Sequence, residues 1–221
     1  MLDFILFMVF SFMETFAMFF LAFRVFKIDL YIVELIFAST IMAFISFVLR
    51  HDYGLMMTDI VIQYLLAFSF IWLLFRIHVF YAAIMTGLSY LTYMLIQSTC
   101  YLLMNATGLY SLSFPFMTSG VYLLQIVSAT LTFSIASYVN KRRKGFDFVP
   151  DKQNGKIKIQ SREVVIFGLS VPSLFIVLLM IFLSEHYTDF FLIMPIAYGI
   201  LLYGYLYFSN KKDLNENEII S

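Results

Sequence analysis

Glu14 is the residue of this sequence whose placement demands the most explanation. It sits in MLDFILFMVFSFMETFAMFFLAFR, near the centre of an apolar run, where a carboxyl group costs a few kcal/mol on insertion scales and must face protein, water or a partner. Ser11 and Thr15 flank it at helical spacing and, with Met18, define one side of a helix. Such a group can bind a ligand, carry a proton or pair with another chain. It can equally serve as a neutral glutamic acid hydrogen-bonded between helices for packing.

Two further constellations could share that work. Asp59 and Gln63 lie four residues apart on an apolar segment and so share a face; they could line an outward-facing cavity or remain in contact with interfacial water. Thr86, Ser89, Tyr90, Tyr93 and Gln97 recur at three- and four-residue intervals and form a polar stripe. The stripe suits packing between membrane helices, and it also suits the wall of a pocket. Glu34 lies close to the headgroups, where charge is cheap, and carries no special expectation.

Hydrolytic and metal-dependent chemistry lacks its working groups in the sequence. His51, His78 and His186 are far apart and fall in connections, and no HExxH, GxSxG or paired His and carboxylate at ligand spacing occurs. Cys100 is the single cysteine, so neither an intramolecular disulfide nor a cysteine metal site can be built. Its distance from His78 along a helix, roughly 33 Å, also forbids a thiolate and base pair. No P-loop appears. The expectation is a protein that is not an enzyme and holds no cofactor or metal.

The elements that must position these residues follow from composition. Of 221 residues, 62% are hydrophobic and only 13% charged, against roughly a quarter charged in soluble domains. This is an all-α integral membrane protein by its sequence. A crossing helix needs about 20 apolar residues, and seven segments qualify: Leu2 to Phe23, Leu30 to Leu49, Leu55 to Phe75, Val79 to Leu103, Phe114 to Val139, Val164 to Leu183 and Phe190 to Phe208. Their length and continuity exclude the alternating strands of a barrel. The expected organisation is one polytopic domain over 1–208, a basic loop over 140–163 and a short tail over 209–221.

Orientation comes from the cations. With the 140–163 loop in the cytoplasm, alternation leaves only Arg50 outside among 14 Lys and Arg, in agreement with the positive-inside rule. The N-terminus is expected outside and the C-terminus in the cytoplasm of a plasma-membrane protein. Fusing spans three and four across FRIH would reverse much of that agreement. The outer connections are HDYG, NATGLYSLS and the acidic SEHYTD. The triplet Asn105-Ala106-Thr107 in the second of them reads as a polar turn.

The basic loop opens with KRRKGFDFVP, Lys141 to Pro150. Lys141, Arg142, Arg143 and Lys144 mark the cytoplasmic side and favour anionic lipid over nucleic acid, which is not an expected partner. Phe146 and Phe148 alternate with polar residues, as suits an extended edge lying on the membrane surface or on a partner.

KGFDFVP, Lys144 to Pro150, resembles a segment that follows a membrane helix in the multi-span sensor regions of accessory-gene-regulator-like, peptide-sensing histidine kinases of Firmicutes. The resemblance implies a bundle of six or seven spans that meets a small peptide on its outer side. After span seven, SNKKDLNENEIIS offers no dimerisation helix, phosphoacceptor histidine or ATP-binding domain. The nearby His and Cys pair of the peptide-processing membrane protease of such systems is missing too. The resemblance therefore implies a sensor without its kinase, working through a separate membrane kinase or other protein; in that reading the polar residues singled out by spacing, Glu14, Asp59, Gln63, Tyr90, Tyr93 and Gln97, are the candidate pocket. The alternatives are a proton-coupled small-molecule transporter that uses Glu14 and Asp59, and an immunity or scaffold membrane protein. Ligand and oligomeric state are not legible.

Overall fold

The computed structural model describes residues 2–108, 119–147, 149, 167–168, 175–177, 179 and 193–220. Most of the basic loop, most of the sixth expected span, the connections at 109–118 and 184–189, and with them Phe148 and His186, lie outside the described residues. Those described are helical or lie in turns, and no strand occurs among them. Apolar surroundings leave a helix as the natural solution for such runs, because every backbone N–H and C=O is then satisfied within its own segment.

Helix α1 spans Leu2–Val25. Helix α2, Ile32–Phe47, widens into a π-helical turn over Val48–Asp52. Helix α3, Met56–Ser69, ends in a second such turn over Phe70–Leu74. Helices α4 and α5 occupy Val79–Ala106 and Ser119–Lys141, and α6 occupies Met194–Ile220. Among the described residues, four stretches are long and apolar enough to cross a membrane: Asp3–Val25, Ile32–Asp52, Val79–Ala106 and Gly120–Lys141. The apolar helix Thr58–Leu74 is shorter; at 1.5 Å per residue it covers about 26 Å, just under the hydrocarbon thickness. α6 does not stop where its apolar run ends at Phe208. It continues to Ile220, because SNKKDLNENEII contains neither glycine nor proline to end it, so the stretch expected as a tail is helical.

Aromatic pairs fix the packing. Phe10 meets Tyr122 with ring centroids 4.8 Å apart and Phe20 meets Phe133 at 5.3 Å, so α1 and α5 run in the same direction. Phe4 and Phe7 at the start of α1 meet Phe47 at the end of α2 at 4.8 and 5.5 Å, so those two run antiparallel. Phe75, just past α3, packs on Phe19 and Phe23 of α1. Tyr64 of α3 stands edge-on to Tyr90 of α4 at 5.3 Å. α4 is the central helix, with Ala82, Ile84, Met85 and Leu91 sealed from solvent and neighbours in α3, α5 and α6.

The C-terminal ends of α1, α3 and α5 gather at one end of the bundle. There the chain after α5 folds back on α1: the Phe146 amide donates to the Val25 carbonyl at 2.8 Å, the Phe146 ring lies 5.7 Å from that of Phe26, and Lys27 pairs with Asp147 at 2.6 Å. Gly145 makes the approach possible. Its φ is +142°, and a Cβ there would lie 2.5 Å from the Val25 carbonyl oxygen. Phe146 and Val149 are buried in the protein itself, so the alternating edge lies partly on α1 rather than open to a partner.

Candidate functional site

The residues singled out on three separate segments meet in the half of the bundle away from that fold-back. Glu14 projects from α1 towards α4 and α5. Gln97 Nε2 of α4 donates to Glu14 Oε1 at 3.1 Å, and Gln125 Nε2 of α5 donates to Oε2 at 2.8 Å. The Tyr93 hydroxyl lies within electrostatic range of this carboxyl group and 3.1 Å from Ser128 Oγ of α5. Ser11 and Thr15 are buried on the same side of α1, with the Thr15 hydroxyl turned back on the Ser11 carbonyl at 2.9 Å. Three helices are thereby joined through one side chain, each donor neutral.

Asp59, fully buried, forms the second centre. Its Oδ2 accepts from Ser46 Oγ of α2 at 3.0 Å and from Arg50 Nε, and its Oδ1 accepts from Gln63 Nε2 at 3.2 Å. Gln63 Nε2 also donates to the Met42 carbonyl at 2.9 Å, tying α3 to the backbone of α2. Burying a carboxylate without partners would be prohibitive; here three bonds, from α2, the turn that follows it and α3, satisfy it. The guanidinium is the partner that matters most, because it supplies the compensating charge.

Arg50 also connects the two centres. It lies within electrostatic range of Glu14 as well as Asp59, and Tyr90 lies within range of all three and of Tyr198 on α6. Glu14, Asp59, Gln63, Tyr90, Tyr93 and Gln97 thus belong to one polar cluster between α1 and α4, with elements of α2 and α5 completing it. Arg50, Gln125, Ser128 and Ser46 were not singled out from the sequence. Arg50 was expected as the lone outer cation; its side chain is turned on Asp59 and paired with it. Gln125, Ser128 and Thr132 are spaced by three and four residues along α5 and are all buried, which was the available signal.

The groups expected to do no chemistry have local roles. His51 stacks on Phe47 at 4.7 Å and bonds to Asp52 at 2.9 Å. His78 caps α4, accepting from the Phe80 amide at 3.3 Å. Cys100 is buried with Met104 and Leu124. No group of three His, Cys, Asp or Glu side chains that could hold a metal ion occurs among the described residues. Lys141, Arg142, Arg143 and Lys144 are exposed at the opposite end from the cluster.

The chain matches no protein-family model, no curated protein and no solved structure.

Proposed function

We propose that this chain is a non-enzymatic, receptor-like module of the plasma membrane, with seven spans, the N-terminus outside and the C-terminus in the cytoplasm. Its outer half takes up a small peptide and passes the event to a separate membrane partner. One observation carries the reading: a half-buried carboxyl group on α1 and a buried one on α3 hold α2, α4 and α5 through side-chain bonds in a single cluster. A ligand bearing an amino or carboxylate group exchanges for these bonds and favours a different helix arrangement, which is the differential affinity that any ligand-driven change requires. The bonds are strong enough to define a resting state and few enough to be replaced.

The test uses the full chain in nanodiscs, a panel of short synthetic apolar peptides and thermal unfolding as readout. A peptide should raise the midpoint of the natural protein and leave Glu14→Gln, which keeps a hydrogen-bonding side chain of the same size, unmoved. Equal shifts in both proteins, or no shift with any peptide, would sink the receptor reading.

A second reading is favoured by the neutral character of every group bonded to Glu14. Such a carboxyl can exchange a proton without breaking a salt bridge, as a proton-coupled transporter requires. Proteoliposome acidification that disappears in Glu14→Gln would favour transport over reception.

A further inference from the structure

The fold-back end carries charges that the cluster does not use. Lys27 is paired with Asp147, whereas Arg24, Arg76, Lys141, Arg142, Arg143 and Lys144 have no ion pair among the described residues. Arg24 is the least explained of them. It is half-buried near the end of α1, its guanidinium lies 5.3 Å from the centroid of the Phe20 ring, and its Nε is sealed from solvent with no hydrogen-bond acceptor. A buried N–H left without an acceptor is uncommon and costly. One residue further on, the Val25 carbonyl receives the Phe146 amide, so Arg24 lies beside the point where the cationic stretch after α5 returns to α1. On α5, Arg142 stacks over the exposed ring of Tyr138 at 5.6 Å, an arrangement that suits the headgroup layer.

We propose that this end of the bundle is an anionic-phospholipid site, in which a lipid phosphate is gripped by the Arg24 guanidinium and flanked by Arg142 and Lys144. Nε is sealed within the protein, so phosphate oxygens meet the guanidinium at its terminal Nη groups, whose planar fork matches two of them at once. Phe20 closes one face of the fork, so the phosphate approaches in its plane. A membrane supplies the ligand at the right depth, because the exposed cations lie where the apolar lengths of α1 and α5 end. The site depends on the chain residing in a bilayer and is independent of what the outer cluster binds.

The experiment compares the natural protein with Arg24→Gln, Arg24→Lys and the exposed double variant Arg142→Gln/Arg143→Gln. Each is placed in phosphatidylcholine nanodiscs with and without phosphatidylglycerol, and lipid retained after release is read by native mass spectrometry. The natural protein should retain phosphatidylglycerol over phosphatidylcholine, and Arg24→Gln should lower that retention by more than the roughly fivefold that one surface cation accounts for. Arg24→Lys, with the charge but no fork, should fall between them. Inorganic phosphate at the same concentration should not compete, since the acyl chains hold the headgroup in place; competition would assign the site to a free anion and overturn the lipid. No preference for phosphatidylglycerol in the natural protein would overturn the proposal without reliance on any variant. An equal loss per charge removed in Arg24→Gln and in the Arg142→Gln/Arg143→Gln double variant would reduce the effect to surface charge and overturn the site.

Discussion

Two turns of nearly the same backbone geometry lie at opposite ends of the bundle and are built from opposite residues. After α2, the π-helical turn Val48–Asp52 leads to Gly54 at φ +65°, and the Leu55 amide reaches back to the Leu49 carbonyl at 2.9 Å. After α3, the π-helical turn Phe70–Leu74 leads to Arg76 at φ +56°, and the Ile77 amide reaches back to the Ile71 carbonyl at 3.2 Å. Glycine takes the left-handed position at the cluster end; arginine takes it at the fold-back end. The difference recurs. Gly108 at φ +70° follows α4, whereas Lys27 and Arg143, both at φ +52°, follow α1 and α5. A side chain in this conformation costs roughly 1–2 kcal/mol that glycine avoids. Three helices therefore end on strained cations, and all three are at one end. Each cation offsets part of its cost by facing the negative end of a helix dipole. The backbone alone thus distinguishes an end built to carry charge outward from an end that folds its one arginine inward on Asp59.

The inward end should be the more fragile to a single substitution. Asp59→Ala leaves Arg50 without its counter-charge and Ser46 without its acceptor, while Gln63 keeps its bond to the Met42 carbonyl; breaking a buried pair in this way costs about 3–5 kcal/mol. Unfolding in mixed micelles should show a loss of this size. Removing both charges together, in Asp59→Asn with Arg50→Gln, should recover most of it, and failure of the double variant to recover would mean that the pair does more than compensate itself.

At the opposite end the comparable weak point is steric rather than electrostatic. Gly145→Ala places a methyl group 2.5 Å from the Val25 carbonyl oxygen at a φ of +142°, which only glycine adopts without strain. The cost is about 1–3 kcal/mol, and it should be released locally by lifting the fold-back off α1. Hydrogen exchange at the Phe146 amide should accelerate strongly while amides around Glu14 stay protected. Acceleration at both places would show that the two ends unfold as one unit.

Helices and their order were legible in the sequence because hydrocarbon leaves a long apolar run few other structures. The polar stripe on α4 was also legible, since Tyr90, Tyr93 and Gln97 announce one face by spacing alone. Arg50 was misleading for a physical reason: orientation rules count cations by the side they occupy, whereas burial against Asp59, nine residues along, depends on how the turn after α2 bends. Gln125 and Ser128 had the spacing but sat in a helix with no carboxylate or histidine, its one charged residue, Lys141, lying at the far end. The fold-back of Phe146 was hidden because Gly145 only gains meaning beside the Val25 carbonyl, 120 positions earlier in the chain.

Exchanging the residues of the two matched turns tests the comparison directly, with smaller effects of opposite sign. Arg76→Gly relieves the left-handed side chain and should stabilise the protein by up to about 1 kcal/mol in micelles, where there is no membrane for the cation to meet. Gly54→Arg should cost about the same amount, because nothing within 4 Å obstructs a Cβ there and only the backbone conformation resists it. In anionic bilayers the gain from Arg76→Gly should shrink or reverse, as a cation near such a surface is worth about 1 kcal/mol. If the bilayer leaves the Arg76→Gly gain unchanged, the strained cations at this end are not there for the membrane.

The smallest expected effect lies inside the cluster and separates its two carboxyl groups. Gln125→Ala removes one donor to Glu14 while Gln97 remains. Bonds between membrane helices average only about 0.6 kcal/mol by double-mutant cycles, so a Glu14–Gln125 cycle should give a coupling of that order. The corresponding Arg50–Asp59 cycle should be several times larger, because removing either partner strands a buried charge. This inequality is what the receptor reading needs: a firm pair that keeps α2 and α3 together, beside a set of weaker bonds through which a ligand can draw α1 away from α4 and α5. Equal couplings at the two centres would make the cluster a uniform structural tie, and the case for Glu14 as the responsive element would fall with it.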